Sequence, residues 1–438
     1  MIQMLNPADS LSGIVRLPGD KSISHRYAML SAIAEGTSVI RHFAASEDCQ
    51  STINCLGSLG VEVHKSGETV TIKGRGLRGL RAPSQMLDAG NSGTTIRLLS
   101  GILAGHPFES SITGDASLSR RPMGRILQPL RLMGATIESR EGGLPPLDIR
   151  GGSLEGIRYS LPVASAQVKS CVLLAGLYGN GWTAVEEVVP TRDHTEIALR
   201  EFGGDIRISG TWIEVRPEPL LLAQQLTVPG DLSGAAFFLV AASLVPNSDL
   251  TLPEVGLNKR RRELIKYLVR AGADLSVENE TEMAGEPRGD LRVRYSPALL
   301  KQQLPHIKGA LAASLIDEIP VLSVLGSQAE GGLEISDARE LRVKESDRIS
   351  ALAANLSAMG VDAVEKPDGL VISGGRPLRG AEIVTHRDHR IAMAFAVAAL
   401  KARGETRIHD AECADVSFPG FWNALRKITV PKTGNKNH

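Results

Sequence analysis

Aromatic side chains make up only 4% of this 438-residue chain. That shortage argues against a stacking platform for single-stranded nucleic acid, which needs rings to hold successive bases. An excess of one charge is lacking too, since 49 basic and 49 acidic residues give a formal net charge of zero. General polyanion binders carry a basic excess, so any basic site here is local. Cysteine is limited to Cys49, Cys55, Cys171 and Cys413, with no CxxC spacing and no paired-histidine motif. Buried or incidental thiols are expected, rather than a metal centre or disulfides. Long hydrophobic runs are missing as well. The longest apolar stretches, 235–245 and 391–400, are too short to cross a bilayer and read as buried helices. No basic region followed by an apolar run opens the chain, so no secretory signal is expected. The expected protein is soluble and cytoplasmic, with no nucleic-acid or membrane partner.

Glycine, by contrast, is abundant at 45 residues, which suits a turn-rich α/β protein built from small side chains. The length exceeds one small core and predicts two domains of roughly 200 residues. The polar tail after Pro431 is expected to fray.

The chain also repeats itself. Leu56-x-x-Leu-Gly60, Leu130-x-x-Met-Gly134, Leu199-x-x-Phe-Gly203, Leu268-x-x-Ala-Gly272 and Leu356-x-x-Met-Gly360 share one pattern. Each reads as an amphipathic helix closed by a glycine in the left-handed cap position. Alternating strand patterns follow, such as Val61/Val63 then Val70/Ile72, and Ile206/Ile208 then Ile213/Val215. The glycines stand 74, 69, 69 and 88 residues apart, and one further step reaches Leu425–Ile428, a worn sixth copy. Such units are too long for a solenoid, whose periods run about 20–50 residues. Two globular groups of three fit better. Pro18-Gly19-Asp20-Lys21-Ser22 recurs as Pro229-Gly230-Asp231-Leu232-Ser233. We read these as the two strands of a hinge between domains 1–19 plus 231–438 and 20–230, although a turn tetrapeptide also recurs by chance. A cleft between hinged domains is a common ligand site.

Basic residues gather where elements begin. In Leu17-Pro-Gly-Asp-Lys-Ser-Ile-Ser-His-Arg26, Asp20 can cap a helix whose first turns carry Lys21, Ser22, Ser24 and Arg26. Unpaired N–H groups, the helix dipole and two cations then suit a phosphate or carboxylate, while an ordinary capped helix gives the same pattern. Asn91-Ser-Gly-Thr-Thr-Ile-Arg97 enters an apolar helix through small and hydroxyl residues that let an anion approach the backbone. Arg120-Arg121-Pro122 is expected to open a helix with Pro122 in its first turn. Ser165, Gln167 and Lys169 mark a further helix start, and Thr191–Thr195, Arg342–Arg348 and His386–Arg390 complete the set. A surface salt-bridge cluster would explain any one of them. Together they suit a substrate pair with several negative charges, gripped by arginine and neutralised by lysine.

Two acids stand among these cations. Asp317 lies inside an apolar run, and Glu345 sits between Lys344 and Ser346. A carboxylate facing cations stays ionised and can take a proton from a hydroxyl, whereas Asp317 could also simply cap the helix before Ile319-Pro320. No Gly-x-Ser-x-Gly elbow, dinucleotide fingerprint or metal-ligand spacing occurs. Acid–base chemistry with electrostatic clamping is what remains.

Leu17–Arg26, Asp88–Arg97, Arg121-Pro122, Ser165-Ala-Gln167, Leu341–Arg348 and Asp388-His-Arg390 together closely resemble the motifs of the 5-enolpyruvylshikimate-3-phosphate synthase family. The resemblance runs from about Leu11 to Pro419 in order and with compatible spacing. It implies an inside-out α/β fold of two domains, each of three βαβαββ copies, joined by a two-stranded hinge. It also implies transfer of the enolpyruvyl group of phosphoenolpyruvate to the 5-hydroxyl of shikimate 3-phosphate, with no metal or organic cofactor. By motif position, Lys21 touches both substrates. Ser22, Arg26, Ser165, the Ala166 backbone, Gln167, Arg192, Asp317 and Lys344 fall to shikimate 3-phosphate, on the side of domain 20–230. Asn91, Gly93, Arg121, Gln167, Arg348 and Arg390 fall to phosphoenolpyruvate, whose side is domain 1–19 plus 231–438. Lys21, Asp317 and Glu345 share the proton transfers. The expected state is a monomer, with glyphosate a competitive inhibitor.

This sequence departs from part of the family. Arg192 stands where some members have a neutral phosphate contact, and Val416 where some have a lysine before the C-terminal Phe-Pro. Gly93 occupies a position where tolerant members often carry alanine, which implies at least partial glyphosate sensitivity. The sister enzyme that uses UDP-N-acetylglucosamine is the nearest alternative. It usually carries a reactive cysteine near Ala116 and Lys-Asn in place of Lys21-Ser22. A non-catalytic protein that binds phosphorylated metabolites is the other alternative.

Overall fold

The computed structural model describes residues 1–431, so the polar tail 432–438 lies outside the described residues. The chain forms two compact units. One is Gly19–Pro229 with the short segment Glu282–Glu286; the other is Met1–Pro18, Gly230–Thr281 and the chain from Pro287 onward.

In the first unit one arrangement occurs three times. Strand 225–227 runs parallel to 37–41, followed by antiparallel 69–73 and 62–66. Strands 87–88, 109–113, 144–150 and 136–140 repeat that order, as do 158–160, 183–186, 212–215 and 206–209. Two helices accompany each sheet: α1 (Lys21–Ile33) and α2 (Glu47–Ser58), α3 (Gly93–Ala104) and α4 (Gly124–Leu132), α5 (Ala166–Gly176) and α6 (His194–Glu201). The odd-numbered helices are buried almost throughout, because they are rich in small and apolar residues on every face. The even-numbered ones bury a single stripe. Each ends on the expected glycine, with φ of 83°, 97° and 93° at Gly60, Gly134 and Gly203.

The second unit repeats the pair of helices as α7 (Leu232–Leu244) and α8 (Glu263–Arg270), α9 (Ile319–Gln328) and α10 (Arg348–Ala358), α11 (His389–Lys401) and α12 (Phe421–Ile428). The apolar runs 235–245 and 391–400 are thus the buried helices α7 and α11. The worn sixth copy is present as α12, but Thr429 leads out of it in an extended conformation rather than through a left-handed glycine. Its strand 429–431 then pairs with 8–14 instead of starting a hairpin. The place beside strand 406–408 is taken by strand 3–5 from the start of the chain.

The doubled Pro-Gly-Asp has a local explanation. Asp20 and Asp231 are the N-caps of α1 and α7, accepting from Ile23 N at 3.0 Å and Ser233 N at 2.8 Å. Asp20 N also donates to Pro229 O at 2.8 Å, and Asp231 N to Pro18 O at 3.0 Å. Gly19 must be glycine, since a Cβ there would collide with the His42 carbonyl oxygen. The observed crossings fall between residues 18 and 19 and between 229 and 230, one residue before the sequence boundaries. Segment 282–286, the turn between strands 274–283 and 286–294, was not anticipated as part of the first unit. There Ala284 packs on the apolar core, and Glu286 bonds to His194 Nδ1 at 2.6 Å.

One local expectation is corrected. Pro122 is not in the first turn of α4, which begins at Gly124 behind an N-cap at Met123. Met123 N is held by Gly143 O at 2.8 Å, which delays the helix start by two residues.

No helix among the described residues is long and apolar enough to cross a membrane. All four cysteines are free and buried. Burial pushes the thiols of Cys49, Cys55, Cys171 and Cys413 up to about 12. Thiolates are the reactive form, so a disulfide exchange reagent at pH 8 is expected to leave the native protein unmodified and to label all four thiols after denaturation. Rapid release of chromophore from native protein would contradict this burial.

Candidate active site

Within the first unit, the helix starts carry the cations. Lys21 opens α1, and its Nζ lies 2.8 Å from Asp48 Oδ2 on α2. Arg26, one turn on, donates through Nη1 to Ser22 O at 2.8 Å, through Nε to Thr195 Oγ1 at 2.6 Å and through Nη2 to Ser170 Oγ at 2.9 Å. Burial lowers its pKa to about 10, with Arg192 adding to the fall and Glu196 and Asp20 opposing it. Arg26 therefore stays charged at neutral pH, its guanidinium fixed by two hydroxyls and a backbone carbonyl, with Glu196, Asp20 and Glu286 as the acids acting on it. Ser24 serves the fold instead, accepting from Ala44 N at 3.0 Å.

A second group forms around the start of α3. Arg121 Nη2 donates to Asn91 Oδ1 at 2.6 Å and to Ser117 Oγ at 3.0 Å, while Asn91 Nδ2 donates to Asp115 Oδ2 at 2.7 Å. Gln167, in the first turn of α5, accepts from Arg97 Nη1 at 2.8 Å and donates to Thr94 Oγ1 at 3.0 Å. Ser165 caps that helix by accepting from Val168 N, with Ala166 its first residue. A Cβ on Gly93 would lie 2.6 Å from Arg97 Nη1 and 3.7 Å from Arg121 Nη1, so Gly93 sits between the two guanidinium groups. Arg192 precedes α6, close enough to Arg26 to depress its pKa. Arg26 and Arg192 thus act on one another, Asn91, Gly93, Arg121, Arg97 and Gln167 form a second group, and Lys21 pairs with Asp48.

Within the second unit, Asp317 is not a helix cap. Glu318 holds the N-cap position of α9. The Asp317 carboxylate instead faces Lys344 Nζ at 3.9 Å, Arg348 Nη1 at 3.8 Å and Arg390 Nη2 at 3.8 Å. Arg390 Nη1 also donates to the Asp317 backbone oxygen at 2.8 Å. Arg348 is 1% exposed and is held by Asp388 through Nε at 2.8 Å and Nη2 at 3.2 Å, and by Glu345 Oε2 at 2.6 Å. Burial works against its charge, but Asp388 and Glu345 outweigh it and raise the pKa. Asp388 shows the converse. Burial would raise its carboxyl, yet Arg348 holds it below the usual range. The same Asp388 caps α11 by accepting from Arg390 N at 2.9 Å, so one acid grips the Arg348 guanidinium and anchors the backbone at Arg390.

Sequence reasoning passed over Asp48, Arg97 and Asp388 as site residues. Arg97 and Asp388 lay inside quoted motifs, whereas Asp48 carries no local signal because its partner is 27 residues away. No group of three or more His, Cys, Asp or Glu side chains placed to hold a metal ion occurs among the described residues.

Comparison with known proteins first identifies the fold. The enolpyruvyl transferase NikO from Streptomyces tendae superposes with a TM-score of 0.76 over 98% of this chain and 97% of its own, at 19% identity, which establishes a shared fold. An EPSP synthase structure from Acinetobacter baumannii has a TM-score of 0.86 at 44% identity, over 98% of both chains. The family model for EPSP synthase (3-phosphoshikimate 1-carboxyvinyltransferase) matches residues 5–425. Proteins named 3-phosphoshikimate 1-carboxyvinyltransferase from Solibacter usitatus and Pelotomaculum thermopropionicum are each 52% identical. The matches cover 98% of this chain and 100% of the first, and 96% of this chain and 97% of the second. The chain belongs to the EPSP synthase family.

The Arg348–Asp388 pair generates a stability prediction. Removing one partner of a buried pair strands the other charge, so Asp388→Ala is expected to lower unfolding free energy by about 3–5 kcal/mol in urea titrations. A loss below about 1 kcal/mol would show that Glu345 alone satisfies Arg348.

Proposed function

We infer that this chain transfers the enolpyruvyl group of phosphoenolpyruvate to the 5-hydroxyl of shikimate 3-phosphate and releases phosphate. The reaction lies on the shikimate pathway to chorismate and the aromatic amino acids. The observation that carries this reading is Asp317, a carboxylate with the charged groups of Lys344, Arg348 and Arg390 at 3.8–3.9 Å. An acid there weakens a pure anion trap, but it suits a base that must take a proton from a hydroxyl among bound anions.

The hydroxyl oxygen bonds to C2 of phosphoenolpyruvate as its proton passes to Asp317. A proton from Glu345 reaches the C3 methylene, giving a tetrahedral intermediate. Return of a C3 proton to Glu345 and departure of phosphate then restore the double bond. Lys21 neutralises charge shared by the two substrates. Ser22, Arg26, Ser165, the Ala166 backbone, Gln167, Arg192 and Lys344 hold shikimate 3-phosphate. Asn91, Gly93, Arg121, Gln167, Arg348 and Arg390 hold phosphoenolpyruvate, with guanidinium groups suited to both its carboxylate and its phosphate. Fixed cations of this kind favour the phosphate as it leaves. The same reading has the protein act as a cytoplasmic monomer.

Phosphate release from phosphoenolpyruvate is expected only when shikimate 3-phosphate is present, with UDP-N-acetylglucosamine inert, and Asp317→Ala is expected to abolish it. Release driven by the nucleotide sugar alone would move the chain to the sister activity. Glyphosate is expected to compete with phosphoenolpyruvate. In Gly93→Ala the new methyl would lie 2.6 Å from Arg97 Nη1, forcing that side chain off Gln167. Both the glyphosate inhibition constant and the KM for phosphoenolpyruvate should therefore rise, and an unchanged inhibition constant would refute this account.

A further inference from the structure

Lys169 takes no part in the reading above, yet 0% of its side chain is exposed. It lies on α5, two residues beyond Gln167. Its Nζ is 2.9 Å and 3.1 Å from the two carboxylate oxygens of Glu187, and 2.7 Å from Oε1 of Glu196. Those two acids bracket the segment that carries Arg192. Between the strand Thr183–Glu186 and α6, this segment has no regular secondary structure to hold it. Side chains supply the anchors. Thr191 Oγ1 donates to Glu187 Oε1, and Thr195 Oγ1 receives Arg26 Nε and shares a 2.6 Å hydrogen bond with Ser170 Oγ.

A buried ion cluster is a weak route to stability, because desolvation offsets the Coulomb gain and a packed apolar side chain often does as well. Glu196 shows that cost. Burial pushes its carboxyl pKa up against the pull of Lys169, and its Oε2 has no hydrogen-bond partner among the described residues. Geometry is the better account of the cluster. Arg192 acts on Arg26 as a like charge, and like charges separate unless something holds them.

We propose that Lys169 is a positioning residue for shikimate 3-phosphate: by clasping Glu187 and Glu196 it holds the intervening segment so that Arg192 stands ready beside Arg26 for the substrate's phosphate. The proposal rests on the reading of Arg192 as a phosphate contact. Holding two guanidinium groups in place before binding raises affinity without touching the reacting bonds, so the effect falls on one substrate.

The test is steady-state kinetics, each substrate varied in turn, on Lys169→Met, Arg192→Ala and the double variant. Each single change is expected to raise the KM for shikimate 3-phosphate about 10- to 100-fold. The kcat and the KM for phosphoenolpyruvate should stay within about twofold, as for a lost contact that is uniform between ground and transition states. The double variant should be no worse than Arg192→Ala alone, since coupled residues are not additive. Lys169→Met leaves two buried carboxylates without their cation, so a Lys169→Met/Glu187→Gln/Glu196→Gln variant supplies a charge-balanced control. It is expected to fold and to keep the raised KM. A wild-type KM for shikimate 3-phosphate in that control, or additive effects in the double variant, overturns the proposal. A wild-type KM in Arg192→Ala overturns it differently, by removing the phosphate contact on which it rests.

Discussion

Burying whole helices creates a constraint at their ends, and that constraint organises this protein. The inner helices α1, α3, α5, α7, α9 and α11 are covered along their length, so their first N–H groups must find partners where the chain enters. Asp20, Ser92, Ser165, Asp231 and Asp388 supply side-chain acceptors at five of them; α9 lacks such a bond. The same positions concentrate positive potential. Cations are held there by hydroxyls and acids, as Arg26 and Arg348 show. Fold and chemistry therefore meet at one kind of place.

Much of this was legible in the chain. Glycine after each amphipathic helix is a local signal, because only a residue without Cβ adopts that left-handed cap cheaply, and all five expected glycines have positive φ. The Pro-Gly-Asp echo was readable for the same reason: a break followed by a capping acid is written in consecutive residues. What failed to show was non-local. That the strand 429–431 pairs with 8–14, or that 282–286 joins the first unit through Glu286 and His194, 92 residues apart, depends on partners far along the chain.

The site divides along the same line. Lys21, Arg26 and Arg121 could be named because motifs place them at element starts. The acids that aim them could not, since Asp48 and Asp388 are defined by what they touch, whereas Asn91 was named from its motif and only its bond to Arg121 was out of reach. Asp317 is the clearest case. Sequence left it between a cap and a base, and the position of Glu318 at the N-cap removes the first option. Arg97 shows the opposite situation, a residue inside a recognisable motif whose task becomes visible only through its bond to Gln167.

The way the two termini complete the second unit has a consequence for biosynthesis. The first unit is continuous from Gly19 to Pro229, apart from five residues contributed later, so most of it is available for folding as soon as it leaves the ribosome. Strand 8–14 emerges earlier and can pair with 249–256 first and with 429–431 afterwards, whereas strand 3–5 finds its partner only after 406–408 has been made. At about 5–20 residues per second, that wait lasts on the order of 20–80 s. During it strand 3–5 has no partner on the nascent chain, the kind of surface that invites pairing with another chain. Chaperone demand should therefore fall on the oldest residues of the polypeptide, while the middle of the chain is already folded.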